Sequence, residues 1–257
     1  MIFNSSNPAL KKAFQTTGYA NTESGTMSLK GTINKSLISL LLVLTAASYT
    51  WNMFFNGSPS ANTYMIVGGI GGFVVALITI FKKEWAQYTV PVYAILEGLF
   101  LGGISAFYAA YASAGAEEGI VSSKIVVKAV TLTFGVFFAM LFAYRSGLIK
   151  ATNKFKKGII AATGGIAIAY FLAIMLSWFG IDLDFFYGNF MLSIGISLFI
   201  VAIAALNLIL DFDFIEQGSQ MGLPKYMEWY GAFGLMVTLV WLYIEILRLL
   251  AKLGGRD

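Results

Sequence analysis

Asp211, Asp213 and Glu216 close an apolar run in the segment NLILDFDFIEQGSQ, residues 207–220, and Glu228, Glu245 and Arg248 follow on a second apolar run. Glu97 stands inside another apolar stretch, and Lys82 and Lys83 form a short basic turn ahead of it. Carboxylates held close together cannot all ionise cheaply. Ionised, such a set can hold a hard cation such as calcium, which takes several oxygen ligands; protonated, it lets the cation go. The chemistry within reach is therefore proton-controlled cation binding. Asp211 and Asp213 are the expected proton sensor and calcium ligands, Glu97 and Glu228 the carboxylates of an electronegative vestibule, and Lys82 or Lys83 a cationic latch that pairs with Asp211.

Helical spacing sorts these groups. Asn207 and Asp211 are four apart and share a face, whereas Asp213 falls on another face together with Glu216. Asp211 is thus the inward-pointing residue. In the last run Gly234, Thr238, Trp241, Glu245 and Arg248 recur at intervals of three and four. A stripe with a glycine, a hydroxyl and two charges does not belong against lipid, so this helix is expected at the centre of a bundle. Blander readings stand beside these. The acidic cluster also suits a solvated helix end, Glu245 and Arg248 a local structural ion pair, and Glu97 a protonated hydrogen-bonding group between helices.

The elements that must position these residues are membrane spans. The chain is 58% hydrophobic and 12% charged, against about 45–50% and about 25% in soluble domains. Seven runs approach or reach the roughly 20 apolar residues that cross a bilayer, at about 33–55, 64–81, 90–111, 125–144, 158–179, 190–212 and 229–250. They are continuously apolar, which excludes the alternation of a β-barrel. The expected fold is an all-α membrane protein, a seven-transmembrane-helix bundle with a central C-terminal helix. Residues 1–32 form a polar arm, with a short amphipathic turn conceivable around Pro8–Phe14; residues 33–252 form the helical domain, and residues 253–257 a short tail. The arm lacks the apolar core of a signal peptide. GGIGG at Gly68–Gly72 sits inside an apolar helix with no strand before it, so it suits close helix packing rather than phosphate binding.

Lys and Arg concentrate in the arm, in the turn at Lys82 and Lys83, and in the loop with Arg145, Lys150, Lys154, Lys156 and Lys157. The alternate loops are neutral or carry Glu117, Glu118, Asp182 and Asp184. This bias puts the N-terminus in the cytoplasm. It also puts Glu97, Asp211, Asp213 and Glu228 in the cytoplasmic half, with Glu245 and Arg248 toward the other side. Arg248, Lys252 and Arg256 run against the bias at the end of the chain; the apolar length of the last run nevertheless favours a full span over a re-entrant one.

With no Cys and no His, disulfides, thiolate nucleophiles, imidazole bases and most zinc or haem sites are excluded. No hydrolase motif is embedded in the spans, so an enzyme is not expected, nor a cofactor. The net charge of +4 follows from the cytoplasmic loops and needs no nucleic acid. The partners expected are the lipid bilayer and a transported cation.

The segment LNLILDFDFIEQG, the short turn after it and the final helix ending in LRLL resemble the transmembrane Bax inhibitor motif family in its bacterial branch, as do the NPAL…F start and the basic loop pattern. The resemblance covers nearly the whole chain. It implies a seven-helix bundle around the last helix, in a bacterial inner membrane, and a pH-sensitive calcium leak governed by one aspartate on the sixth helix and one on the seventh. Asp211 matches the first; Thr238 stands where the second would be. The carboxyl partner of Asp211 is then Glu97, Glu228, Asp213 or none. The alternative function is a regulatory membrane protein that binds other membrane proteins and conducts nothing.

Overall fold

The computed structural model describes residues 25–112, 123–180 and 190–254. The expectations for the arm before residue 25, for Glu117, Glu118, Asp182 and Asp184, and for Arg256 lie outside these residues. Seven long helices follow one another: α1 (Leu29–Phe55), α2 (Ala61–Phe81), α3 (Ala86–Ala112), α4 (Lys124–Arg145), α5 (Asn153–Trp178), α6 (Phe190–Gln220) and α7 (Met227–Gly254). A single 3-10 turn, Lys83–Trp85, joins α2 to α3. All seven are long and apolar enough to cross a membrane. Connections this short force neighbouring helices antiparallel. One end of the bundle, the near end, therefore gathers the start of α1 with the α2–α3, α4–α5 and α6–α7 turns; the far end is opposite.

Three of the helices that begin or end away from the apolar runs do so for a local reason. α1 starts at Leu29 because Ser28 caps it, its Oγ accepting from the Gly31 N–H at 3.0 Å. α5 starts at Asn153 because Thr152 Oγ1 accepts from the Phe155 N–H at 3.2 Å. α6 continues eight residues past Phe212 to Gln220. Along that extension Gln217 Nε2 donates to Asp213 at 2.7 Å and Gln220 Nε2 to Glu216 at 3.4 Å, both across four residues. Pairs at this spacing support a polar helix. The acidic cluster is thus interior to a helix rather than at its end.

α7 is the most buried span and packs on α1, α3, α4 and α6. The core lies along its contacts, with Met236, Leu242 and Leu247 of α7, Leu208 and Ile209 of α6 and Val90 of α3 fully enclosed. Large apolar side chains on the outer faces, such as Leu41, Phe73, Phe138 and Phe171, are exposed and meet the bilayer. Inside a membrane the packing of helices relies on close contact, because lipid is as apolar as leucine. α3 supplies that contact through glycine. A Cβ at Gly102 would lie 2.2 Å from the Ala47 carbonyl oxygen of α1, and one at Gly98 would lie 2.5 Å from that of Val43. Gly68 of α2 meets the Leu96 carbonyl oxygen in the same way at 2.5 Å, which is the packing role expected for GGIGG. Backbone cannot swing aside as a side chain can. Gly102→Leu is therefore expected to push α1 from α3 and cost at least about 1–3 kcal/mol, read as an earlier thermal unfolding of the detergent-solubilised protein.

Candidate functional site

α6 and α7 bring Asp211 to the middle of two voids. Gly234 of α7 leaves room for it: a Cβ there would stand 3.5 Å from Asp211 Oδ1. One cavity, about 520 Å³, lies toward α2 and α3 and is lined by Asp211 with Glu97, Tyr93, Phe73, Gly234 and Thr238. The other, about 500 Å³, lies toward the near end and is lined by Asp211 with Asp213, Lys156, Gln217 and Met221. Asp211 belongs to both. Its Oδ2 is sealed from solvent and has no hydrogen-bond partner. The Thr238 side chain faces the carboxylate from α7, so the residue that replaces the expected second aspartate does lie opposite Asp211.

Glu97 shares the larger cavity with Asp211, and Gly72 makes space for it; a Cβ at Gly72 would sit 3.2 Å from Glu97 Oε2. Of the partners left open for Asp211, Glu97 shares one of its cavities and Asp213 the other. Asp213 is already engaged. Its Oδ2 forms an ion pair with Lys156 of α5 and accepts from Gln217. Glu216 accepts from the Tyr144 hydroxyl of α4 at 2.6 Å. Among the described residues, no group of three or more carboxylates stands together as a metal site.

Two expectations are corrected. Neither Lys82 nor Lys83 latches Asp211. The α2–α3 turn packs on the start of α7, which carries Lys83 to the ring of Tyr230, 5.2 Å from its centroid. The cation beside the acidic cluster is Lys156, because α5 begins next to the end of α6. Its loop was recognisably basic, but nothing local singles out Lys156 among its neighbours.

Glu228, the other correction, is not a vestibule carboxylate. It is fully buried and neutralised by Lys35 at 2.5 Å and Lys225 at 2.8 Å. The Ser28 N–H and Oγ–H both donate to its Oε1, at 3.0 and 2.8 Å. Gly31 is required beside it, since a Cβ there would fall 2.0 Å from Glu228 Oε1. Lys35, near the start of the first span, turns inward to this carboxylate rather than out to the headgroups. Residues 26 and 27 strengthen the joint: Thr26 pairs with Pro224, and the Met27 N–H donates to the Leu223 carbonyl at 2.7 Å. The start of α1 is thus bound to the α6–α7 turn.

The polar stripe of α7 divides in two. Gly234 and Thr238 face Asp211, whereas Glu245 and Arg248 meet α5 toward the far end. Arg248 Nη1 donates to Glu245 at 3.2 and 3.3 Å and to the Tyr170 hydroxyl at 2.5 Å, and that hydroxyl donates to Glu245 at 3.0 Å. The guanidinium also lies over the Tyr170 ring, 5.2 Å from its centroid. The local ion pair expected from spacing is present; Tyr170, which closes it, had no signal in the sequence.

Comparison with known proteins places the chain in a family. A family model described as Bax inhibitor 1 like matches residues 7–255. A search of curated proteins returned no match.

Proposed function

Since the chain belongs to the Bax inhibitor 1 like family, we propose that it is a passive cation leak of the bacterial inner membrane, with calcium as cargo, controlled by protonation of Asp211. The observation that carries this reading is that Asp211 lines both cavities while its Oδ2 has no partner. Ionisable groups inside a membrane are costly and mark ion or proton pathways. Ionised, Asp211 places a negative charge between the two voids, where a cation gains from it and from Glu97. Protonated, it removes that charge, and the near-end cavity keeps only the Lys156–Asp213 ion pair, which carries no net charge. A leak needs a binding point strong enough to draw the ion in and weak enough to release it, and one carboxylate with a neighbouring carboxylate and a hydroxyl meets that condition.

The near end carries Lys30, Lys82, Lys83, Arg145, Lys150, Lys154 and Lys157, so it is the cytoplasmic side under the positive-inside rule. The titratable and charged groups that share a cavity with Asp211 are then Glu97 and Tyr93 of α3, Asp213 of α6 and Lys156 of α5. Calcium entry into proteoliposomes, followed across a pH series, tests the proposal. The wild type is expected to conduct with a pH-dependent rate, and Asp211→Asn to lose that dependence. Absence of flux in the wild type would point instead to a non-conducting regulatory protein. An Asp211→Asn variant that kept the wild-type pH response would move the sensor elsewhere.

A further inference from the structure

A third void lies away from the carboxylates, in the far half of the bundle. It has a volume of about 420 Å³ and is lined by Leu44 and Trp51 of α1, Val127 and Val130 of α4, and Leu239 and Tyr243 of α7, among others. That size falls within the range of about 300–1,000 Å³ found for ligand sites. It exists because α1 and α4 flank α7 without packing on each other. Its length follows from the register of α1: from Leu40 to Trp51 the helix rises about 16 Å, roughly half of an about 30 Å hydrocarbon core. The depth is that of the acyl chains of one leaflet.

The walls determine what can occupy it. They are overwhelmingly apolar, and apart from Ser123 at the far end the hydroxyls they contain are bonded within the protein. Ser48 Oγ donates to the Leu44 carbonyl at 2.8 Å and Thr133 Oγ1 to that of Ala129 at 2.7 Å. Ser105 Oγ donates to the Leu101 carbonyl at 2.5 Å, and it shares a 2.7 Å hydrogen bond with the Tyr243 hydroxyl. A water needs two to four polar partners, and these walls offer almost none. Ser48, Leu44 and Val127 are also exposed at the outer surface, so the crevice is continuous with the face that meets the bilayer. Ser123 lines its far end, and the next residue, Lys124, the first of α4, is exposed. Lys124 is three residues before Val127 and so on the same face. Lys124 sits at the far end, where the loops between helices hold no Lys or Arg.

We propose that this crevice is a phospholipid site. It holds one acyl chain of a lipid from the far leaflet, with the lipid phosphate met by Lys124. Because lipid tails are as apolar as the walls, burial of area contributes little. The chain is retained by contact with α1, α4 and α7 at once and by charge attraction at the mouth. It fills the gap between α1 and α4 on the flank of the helix that carries Thr238. The site does not depend on whether the protein conducts ions.

Native mass spectrometry of the full chain, released from mild detergent doped with phosphatidylglycerol, tests this without any flux assay. The wild type is expected to retain one phospholipid per chain. Ser48→Phe with Val127→Trp, both at exposed positions of the lining, fills the void from its lipid side and is expected to abolish retention while the circular dichroism and size-exclusion profiles stay unchanged. Lys124→Gln leaves the void open and is expected to weaken retention of phosphatidylglycerol and of phosphatidylethanolamine roughly fivefold, since both carry the phosphate. A wild type that retains no lipid, or a filled variant that retains it equally, overturns the site; equal retention of both lipids by wild type and the lysine variant overturns the role of the mouth.

Discussion

Glu228→Gln is expected to lower the stability of the solubilised protein by about 3 kcal/mol, the lower end of the range for removing one partner of a buried ion pair. The carboxylate is fully buried and receives four donors, two of them cationic. An amide of the same shape keeps one acceptor and loses the charge that both lysines need. The lower end applies because Lys35 and Lys225 are 19% and 46% exposed, so both can recover some hydration once released. In a chain of this size that loss corresponds to a fall of roughly 6–12 °C in the thermal midpoint. Lys35→Met alone should cost less, since Lys225 and Ser28 still hold the carboxylate. Combined with Glu228→Gln, it should show a coupling of about 0.5–3 kcal/mol rather than simple addition. An unchanged midpoint for Glu228→Gln would mean that the joint between α1 and the α6–α7 turn is not held by this carboxylate. The consequence reaches the site. The turn so anchored connects α6, with Asp211, to α7, with Gly234 and Thr238, and its loosening should alter cation flux even though Glu228 lines neither cavity.

The parts of this molecule that could be read from sequence are those decided within one helix. Apolar runs long enough to cross a bilayer located all seven helices, because, without the alternation of a β-barrel, only a helix satisfies the backbone in lipid. The four-residue spacing of Asn207 and Asp211 separated Asp211 from Asp213, and Asp211 alone reaches both cavities, while Asn207 turns to α5 and donates to Thr163 at 2.8 Å. Partnerships between helices were not legible. Lys35 and Glu228 are 193 residues apart, and Lys156 and Asp213 are 57 apart. In a chain with several lysines per basic loop, the charge rule gives the side of the membrane but not the partner. The end of α6 was missed for a related reason. Composition turns polar at Asp211, but the helix continues because Met27 and Ile215 give its inner face a small core, and Met27 comes from the other end of the chain.

Arg248→Met is expected to be the second severe substitution, again by about 3–5 kcal/mol, because it strands Glu245, which is 2% exposed at a depth where water cannot replace the guanidinium. Glu245→Gln should be milder, since Arg248 is 26% exposed and keeps the Tyr170 hydroxyl. The double variant should recover part of the loss of Arg248→Met, as expected when an unpaired buried charge is the main penalty. Tyr170→Phe removes only hydrogen bonds to charged groups and should cost about 1.5–3 kcal/mol. The reason to expect an effect beyond stability lies in how α5 is attached. It packs chiefly on α6 and is among the least buried spans, so polar bonds hold much of it in place. Lys156 joins it to Asp213 at the near end, Thr163 to Asn207 in the middle, and Tyr170 to Glu245 and Arg248 toward the far end. With the last of these cut, α5 can lean away from α6 beside the cavity that Lys156, Asp213 and Asp211 line. Hydrogen exchange should then rise along α5 before it rises in α3 or α7. Uniform exchange across all three helices would show that α5 is held by packing alone.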